Sequence, residues 1–326
     1  MSCARAEGTS SGNASGNPSA ILLSIENDIR RIEAMGFDCS SPSAPHAVER
    51  IGKKKLNAYL PVSARNARAF DASGPLPPPE LKEAHDLITY DRRMQSVILK
   101  YTGIIETQFR ARFSRAMGAL HGDFCLYDAD NFLRRDRWES VMADVRREIG
   151  RRSRRDRSLR AAMDRSDGTV PVDAAVECMT LGTLSKLYNN AADRTATEWV
   201  AGGFNSRPVE LRSWMRTMAD VRNVCAHFNP YVILRQIPST PLPIVGCPLS
   251  NTSPFYVFPL MERMLESGEA KSFGDSNFDY AGRMVQDASA ETVGYARLYI
   301  GTLMDLNVPK KLLDPDLGDW AGNGYR

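Results

Sequence analysis

The apolar positions of this chain recur mainly at the three- and four-residue spacing of an α-helix. The clearest stripe lies between residues 81 and 117, where apolar side chains follow one face for about ten turns and arginines and glutamates fill the other faces. Its members are Leu81, Leu87 or Ile88, Met94, Ile98, Tyr101, Ile105, Phe109, Phe113 and Met117. Because a helix this long usually forms the backbone of an all-α bundle, the pattern predicts a long central helix.

Shorter segments with the same spacing predict further helices on both sides. Before the central helix, residues 21–32 predict a helix that Gly36 ends, and a second short helix is predicted near 46–60. After it, helices are predicted over 172–188, 208–227, 258–266, 280–286 and 291–306. No segment alternates apolar and polar residues long enough for a sheet. The predicted fold class is therefore all-α, a helical bundle with extra C-terminal helices.

Three segments depart from the helical pattern. Residues 1–20 are rich in Ser, Gly, Asn and Ala without an apolar face, which predicts a disordered tail. Prolines interrupt the chain at 74–79, and residues 238–259 hold six of the nineteen prolines, which predicts an extended loop. We expect the tail to be followed by a single all-α domain over residues 21–326.

Composition limits the class of protein further. Apolar residues make up 43% and charged residues 25%, as in globular proteins, and no stretch predicts a membrane-spanning helix or a secretory signal. The six cysteines are scattered without a Cys-x-x-Cys pair, which fits reduced cytoplasmic thiols. His121 and Cys125 lie four residues apart, but two ligands without a third are weak support for a metal. We therefore expect a cytoplasmic protein without a metal or other cofactor and without membrane contact.

Charge is distributed unevenly. The chain has 42 Lys and Arg against 39 Asp and Glu, a net charge of +3, but residues 134–165 contain twelve arginines and six acidic residues. This Arg-rich segment carries +6 and leaves −3 for the remainder. It is either a solvated helical face of mixed sign or a basic surface for a phosphate backbone. On the second interpretation the candidate RNA contacts are Arg146, Arg147, Arg151, Arg152, Arg154 and Arg155.

The segment from 221 to 227 contains an Arg and a His separated by four residues. On a helix, Asn223 and His227 project away from the apolar stripe formed by Leu211, Trp214, Met218, Val221 and Cys225. His227 is then either a surface residue that interacts favourably with the helix dipole or, with Arg222, part of a phosphodiester site. On an ideal helix the two side chains point about 140° apart and are separated by a rise of about 7.5 Å. A joint site therefore requires a broken helix, or two copies of the motif facing each other across a two-fold axis.

The sequence at this point resembles the Abi-like abortive infection proteins of the AbiD/AbiF type, members of the all-α HEPN superfamily. The resemblance extends roughly over residues 20–320 and rests on ordered blocks, with weaker similarity at 254–265 and 306–320. The blocks are LNAYLP at 56–61, LITYDRR at 87–93, IIETQFR at 104–110, LGTLSKLY at 181–188 and VRNVCAH at 221–227. After the last block the family commonly has a second His or Tyr and an Arg-Leu-Trp/Tyr-Asn run, whereas this chain has FNPYV at 228–232.

The resemblance implies a metal-independent ribonuclease in which Arg222 and His227 carry the chemistry and Asn223 is their polar neighbour. It places Glu106 and Arg110 of the central helix beside the site. The 2′-hydroxyl of RNA would attack the adjacent phosphorus and leave a 2′,3′-cyclic phosphate and a 5′-hydroxyl. The expected protein is a homodimer of a phage-defence or toxin-type system, with RNA as substrate and an antitoxin or a noncoding RNA as a further partner. The alternative is a non-catalytic HEPN module that binds a structured RNA or a protein.

Overall fold

The computed structural model describes residues 18–69, 78–266 and 280–305, and it is all-α over these residues. They form twelve α-helices and three short 3₁₀ helices, and their β-structure is limited to two isolated bridges, Asp38–Glu80 and Phe132–Ala191. Two compact units divide the chain, Met1–His85 and Asp86–Arg326. The expectation of a single domain over residues 21–326 stays a prediction. The predicted tail at 1–17 lies outside the described residues.

The first unit contains three helices and the first residues of a fourth. They are α1 (Pro18–Ala34), α2 (Ala44–Ile51), α3 (Lys53–Ala69) and the start of α4 (Leu81–His121). Residues 18–20, predicted as tail, are already helical, because proline fits the first position of a helix. The single helix predicted near 46–60 is wrong: Gly52, with a φ of +79°, separates α2 from α3.

The long helix α4 confirms the central stripe. Its predicted members are buried, and from Met94 to Met117 each has at most 1% of its surface exposed. Phe109 packs edge-on against Tyr188 and Phe204, with ring centroids 5.4 and 6.0 Å apart, so the stripe lies in the core of the second unit.

The remaining helices of the second unit follow α4 in chain order. They are α5 (Arg135–Ser153), α6 (Arg157–Arg165), α7 (Val172–Cys178), α8 (Leu181–Asn190), α9 (Arg194–Gly202), α10 (Pro208–Ala226), α11 (Val257–Leu265) and α12 (Tyr280–Asp305). Among them, α8 packs on α5 and on α10, α9 packs on α10, and α11 packs on α12. No helix in the described ranges is both long enough and apolar enough to cross a membrane.

Several boundaries differ from the predictions. The helix predicted over 172–188 is two helices, because Met179 and Thr180 adopt extended backbone and Thr180 caps α8 through its side chain. The two C-terminal predictions merge into α12, and α9 was not predicted. The Pro-rich segment lacks a regular helix until α11, but Phe255 and Tyr256 are buried, so this segment does contribute to the core.

Candidate functional site

Helix α10 presents the candidate site on its outer face. The apolar positions Leu211, Trp214, Met218, Val221 and Cys225 are each at most 2% exposed, as the helical projection predicts. Arg222, Asn223 and His227 are exposed. Because the core is built from the opposite side of the helix, these three side chains are available to a partner and contribute little to packing.

His227 is the residue that ends α10. Its N–H donates to the carbonyl of Asn223 at 3.2 Å, and Phe228 then adopts the left-handed conformation with a φ of +50°. Two further bonds, from Phe228 N to Cys225 O at 2.9 Å and from Asn229 N to Val224 O at 3.1 Å, complete a Schellman motif. The histidine therefore lies at a fixed helix end.

The two candidate residues stay apart within one chain. Since α10 is continuous to Ala226, Arg222 and His227 diverge by about 140° with a rise of about 7.5 Å. A broken helix is thereby excluded as the way to bring them together. The pairing of two chains across a two-fold axis stays a prediction.

The segment after His227 is anchored on α4 by a buried carboxylate. Asp91, fully buried, accepts hydrogen bonds from Tyr231 N at 2.8 Å and from Val232 N at 3.1 Å. One turn further along α4, Gln95 donates through Nε2 to the carbonyl of Asn229 at 2.8 Å. These bonds fix the direction in which the chain leaves His227.

Sequence reasoning missed Asp91, although the signal was present. Position 91 lies four residues after Leu87 and seven before Ile98, so it falls on the apolar stripe of α4. A carboxylate at a core position needs hydrogen-bond donors, and the donors here are the backbone of the segment that follows the candidate motif.

Glu106 of α4 lies close to Arg222. Its Oε2 lies 4.0 Å from Nε of Arg222, and its Oε1 accepts a hydrogen bond from Nη2 of Arg110 one turn along α4. The Glu106 side chain is 15% exposed, whereas that of Arg222 is 44% exposed. Arg222 is therefore held near a shielded carboxylate but keeps an open side toward solvent.

Arg110 fixes this carboxylate to the end of α7. It donates from Nη2 to the carbonyl of Met179 at 2.7 Å and pairs with the Glu177 carboxylate at 3.2 Å. Arg152 donates to the Glu177 carbonyl at 2.6 Å. Carbonyls in the last turn of a helix lack partners within that helix, so two arginines satisfy the end of α7. The role of Arg110 here is to position Glu106.

Most of the other candidate arginines on α5 are engaged locally. Arg147 pairs with Asp144, and Arg151 and Arg152 both bind Glu148. Hydrogen bonds from these two arginines lower the pKa of Glu148 to about 2. The guanidinium of Arg146 lies 6.0 Å from the ring centres of Tyr127 and Trp138.

The remaining pair, Arg154 and Arg155, is exposed and makes no ion pair within the described ranges. The contacts of Arg147, Arg151 and Arg152 are those of a helical face of mixed sign. The Arg-rich segment therefore offers fewer unpaired charges than its sequence indicates.

The two residues of the weak metal pair, His121 and Cys125, have different surroundings in the structure. His121 Nε2 lies 3.0 Å from a carboxylate oxygen of Asp193, and Cys125 is buried in a 3₁₀ turn. Burial raises the pKa of the thiols of Cys125 and Cys225, so both stay protonated at neutral pH. In the described part of the chain, no three His, Cys, Asp or Glu side chains are grouped to hold a metal ion.

Comparison with known proteins adds one match. A sequence model of the family described as "Abi-like protein" matches residues 46–231, more than half of the chain. The matched span contains Glu106, Arg110 and the whole segment from Arg222 to His227. No curated protein and no solved structure matches the chain.

Proposed function

Because the chain belongs to the Abi-like protein family, we propose that it acts in phage defence by abortive infection, as a metal-independent HEPN ribonuclease. The observation that carries this proposal is the exposed trio Arg222, Asn223 and His227, with Glu106 within 4.0 Å of the arginine. An exposed Arg–His pair opposite a buried helix face has no structural task in the core. It combines a permanent cation for phosphate oxygens with a group that transfers protons near neutral pH.

The proposed reaction uses the 2′-hydroxyl of the substrate as the nucleophile. Its oxygen forms a bond to the adjacent phosphorus, and the bond from that phosphorus to the 5′-oxygen of the next nucleotide breaks. The proton of the 2′-hydroxyl passes to the imidazole of His227, and this imidazole then gives a proton to the 5′-oxygen, so a 2′,3′-cyclic phosphate and a 5′-hydroxyl result. DNA has no 2′-hydroxyl and is not cleaved.

The residues divide the work by their chemistry. His227 transfers the proton, and Arg222 donates hydrogen bonds to the phosphate oxygens, where negative charge builds up in the transition state. Asn223, on the same face of α10 as His227, supplies a neutral hydrogen bond. Glu106 attracts the Arg222 guanidinium toward one side of the site, so the arginine loses less conformational freedom when the phosphate binds.

Two copies of the chain complete the site in this proposal. With α10 unbroken, Arg222 and His227 of one chain point apart, and a two-fold axis beside α10 brings Arg222 of one protomer to His227 of the other. Ala226, next to His227, is small enough to permit close approach of the two helices.

The test is cleavage of mixed RNA by purified protein in the presence of EDTA. We expect 2′,3′-cyclic phosphate ends from the wild type and at least a hundredfold slower cleavage from Arg222→Ala and His227→Ala, with unchanged circular dichroism. His46→Ala, an exposed histidine outside the motif, is the matched control and should cleave at the wild-type rate. RNA binding without cleavage in EDTA would contradict the enzyme and favour a non-catalytic RNA-binding module.

A further inference from the structure

A cleft between α5, α8 and α10 lies in the second unit, and the proposed chemistry does not use it. Its volume is about 710 Å³, and each of its three walls contributes one exposed cation. These are Arg137 on α5, Lys186 on α8 and Arg216 on α10. We call it the α5–α8–α10 cleft.

These three cations differ from the arginines of the Arg-rich segment. Among the described residues, Arg137, Lys186 and Arg216 make no ion pair and no side-chain hydrogen bond, whereas Arg147 and Arg151 are bound to neighbouring carboxylates. Three unpaired positive charges around one concave surface are available to a ligand that brings several negative charges.

Two carboxylates also line the cleft and have to be counted. Asp136 is bound by Arg134 at 2.7 and 3.2 Å, so a cation outside the cleft neutralises it. Asp220 accepts a hydrogen bond from the Ser239 hydroxyl and has no cationic partner in the described part of the chain. One uncompensated negative charge therefore stands against three positive charges, and the cleft attracts anions.

The α10 wall of the cleft and the candidate site lie on the same side of that helix. Arg216, Asp220, Asn223 and His227 are spaced by four, three and four residues, which keeps them within about 60° of one another around the helix. Arg216 and His227 are separated by a rise of about 16.5 Å. A chain of phosphates that follows this side of α10 would pass from the cleft to His227, and the Asp220 carboxylate is the one opposing charge on that path.

We propose that the α5–α8–α10 cleft binds the sugar–phosphate backbone of single-stranded RNA next to the phosphate that is cleaved. The inference rests on the proposed function, because it assigns a path to the substrate of that reaction. Contacts to phosphates carry no base information, so the cleft adds affinity without sequence preference. It also accounts for substrate binding by a protein whose net charge is only +3.

The experiment measures binding separately from cleavage. Full-length His227→Ala protein is titrated into a fluorescein-labelled single-stranded RNA of mixed sequence, and fluorescence anisotropy is read between 50 and 200 mM salt. Adding Arg137→Gln, Lys186→Gln and Arg216→Gln together should weaken binding at least tenfold. The triple change should also reduce the slope of log affinity against log salt by about 2, because each lost phosphate contact on a single strand accounts for about 0.7.

A matched control removes the same charge elsewhere. Arg30→Gln, Arg194→Gln and Arg207→Gln remove three exposed arginines that already pair with Glu26, Glu198 and Glu210. This control should change affinity less than threefold. Because the side chains changed in both sets are exposed, circular dichroism should show both proteins folded.

The outcomes separate the cleft from the enzyme. Equal RNA affinity of the cleft variant and the control variant would overturn the proposal that the cleft binds RNA, even if the wild-type protein cleaves RNA in EDTA. If RNA binding depends on the cleft cations but the wild-type protein does not cleave RNA, the result would support RNA binding by the cleft and overturn the proposed ribonuclease activity. A parent protein that gives no salt-dependent change in anisotropy would overturn the RNA assignment and leave an acidic protein segment as the occupant.

Discussion

Replacement of the buried carboxylate of Asp91 should destabilise the fold far more than replacement of an exposed one. Asp91 is fully buried, and both of its oxygens accept backbone N–H groups, from Tyr231 at 2.8 Å and Val232 at 3.1 Å. Those two residues are themselves at most 2% exposed, so water cannot replace the lost acceptor without opening the structure. Asp91→Ala therefore leaves two buried donors unsatisfied.

The magnitude follows from the two bonds. Each hydrogen bond to a charged group contributes about 1.5–3 kcal/mol, so Asp91→Ala should lower the free energy of unfolding by about 3–6 kcal/mol. Asp91→Asn keeps one acceptor oxygen but turns an amide N–H₂ toward the second donor, so we expect a loss of about 2 kcal/mol.

Urea unfolding followed by circular dichroism measures both losses, as a shift of the midpoint at constant slope. Asp144→Ala is the control, because Asp144 is an exposed partner of Arg147 and should change stability by less than about 0.5 kcal/mol. A loss below 1 kcal/mol for Asp91→Ala would refute the anchoring of the segment after His227.

Three further predictions concern local chemistry. Phe228 has a φ of +50°, so Phe228→Gly should be more stable to urea than Phe228→Ala, with a free energy of unfolding about 1 kcal/mol higher. Both variants lack the ring, and only glycine adopts this backbone conformation freely. Equal stability of the two variants would contradict the left-handed helix end. In the native protein, iodoacetamide should alkylate the partly exposed Cys247 before the fully buried Cys225, because burial raises the pKa of the Cys225 thiol. Peptide mass spectrometry should find Cys225 unmodified until urea is added. Early modification of Cys225 would contradict its burial. Burial also raises the pKa of Tyr90 and Tyr231 above the ordinary value of 10.0, so as the pH rises the unfolded state loses these two protons before the folded state does. The free energy of unfolding should therefore be at its full value below pH 10. Above pH 10 it should fall by about 1.4 kcal/mol per pH unit for each tyrosine. Urea midpoints between pH 9 and 11 measure this fall, and Tyr90→Phe should reduce the slope; an unchanged slope would show that Tyr90 is not involved.

The helices were predictable wherever one buried face repeats over many turns. The stripe of α4 and the apolar positions of α10 are fixed by burial, and the spacing of side chains shows burial directly. The breaks were harder to place. Gly52 and Thr180 end short helices through local backbone conformation and a side-chain cap, and such signals are weak against an otherwise continuous apolar pattern.

The sequence predicts which side chains of the candidate site face outward, but it does not predict the contacts that hold the site in place. The projection of α10 placed Asn223 and His227 away from the core, and the structure agrees. The links from Asp91 to Tyr231 and from Arg110 to Glu177 join residues 140 and 67 positions apart in the chain. No spacing rule within one helix reports contacts between distant segments. The pairs that Arg147, Arg151 and Arg152 make on α5 follow the three- and four-residue spacing of one helix. The α5–α8–α10 cleft, by contrast, brings together cations from three helices, and no spacing within one helix shows that.

The most direct test of the proposed site asks whether Arg222 and His227 act together from two chains. Arg222→Ala and His227→Ala proteins with different affinity tags are co-expressed, and the mixed dimer is isolated through both tags and assayed on RNA in EDTA. One of its two composite sites has both residues intact, so the mixed dimer should cleave at about half the wild-type rate, while each variant alone is inactive. A mixed dimer as inactive as its parents, or failure to isolate any mixed dimer, would contradict the shared site.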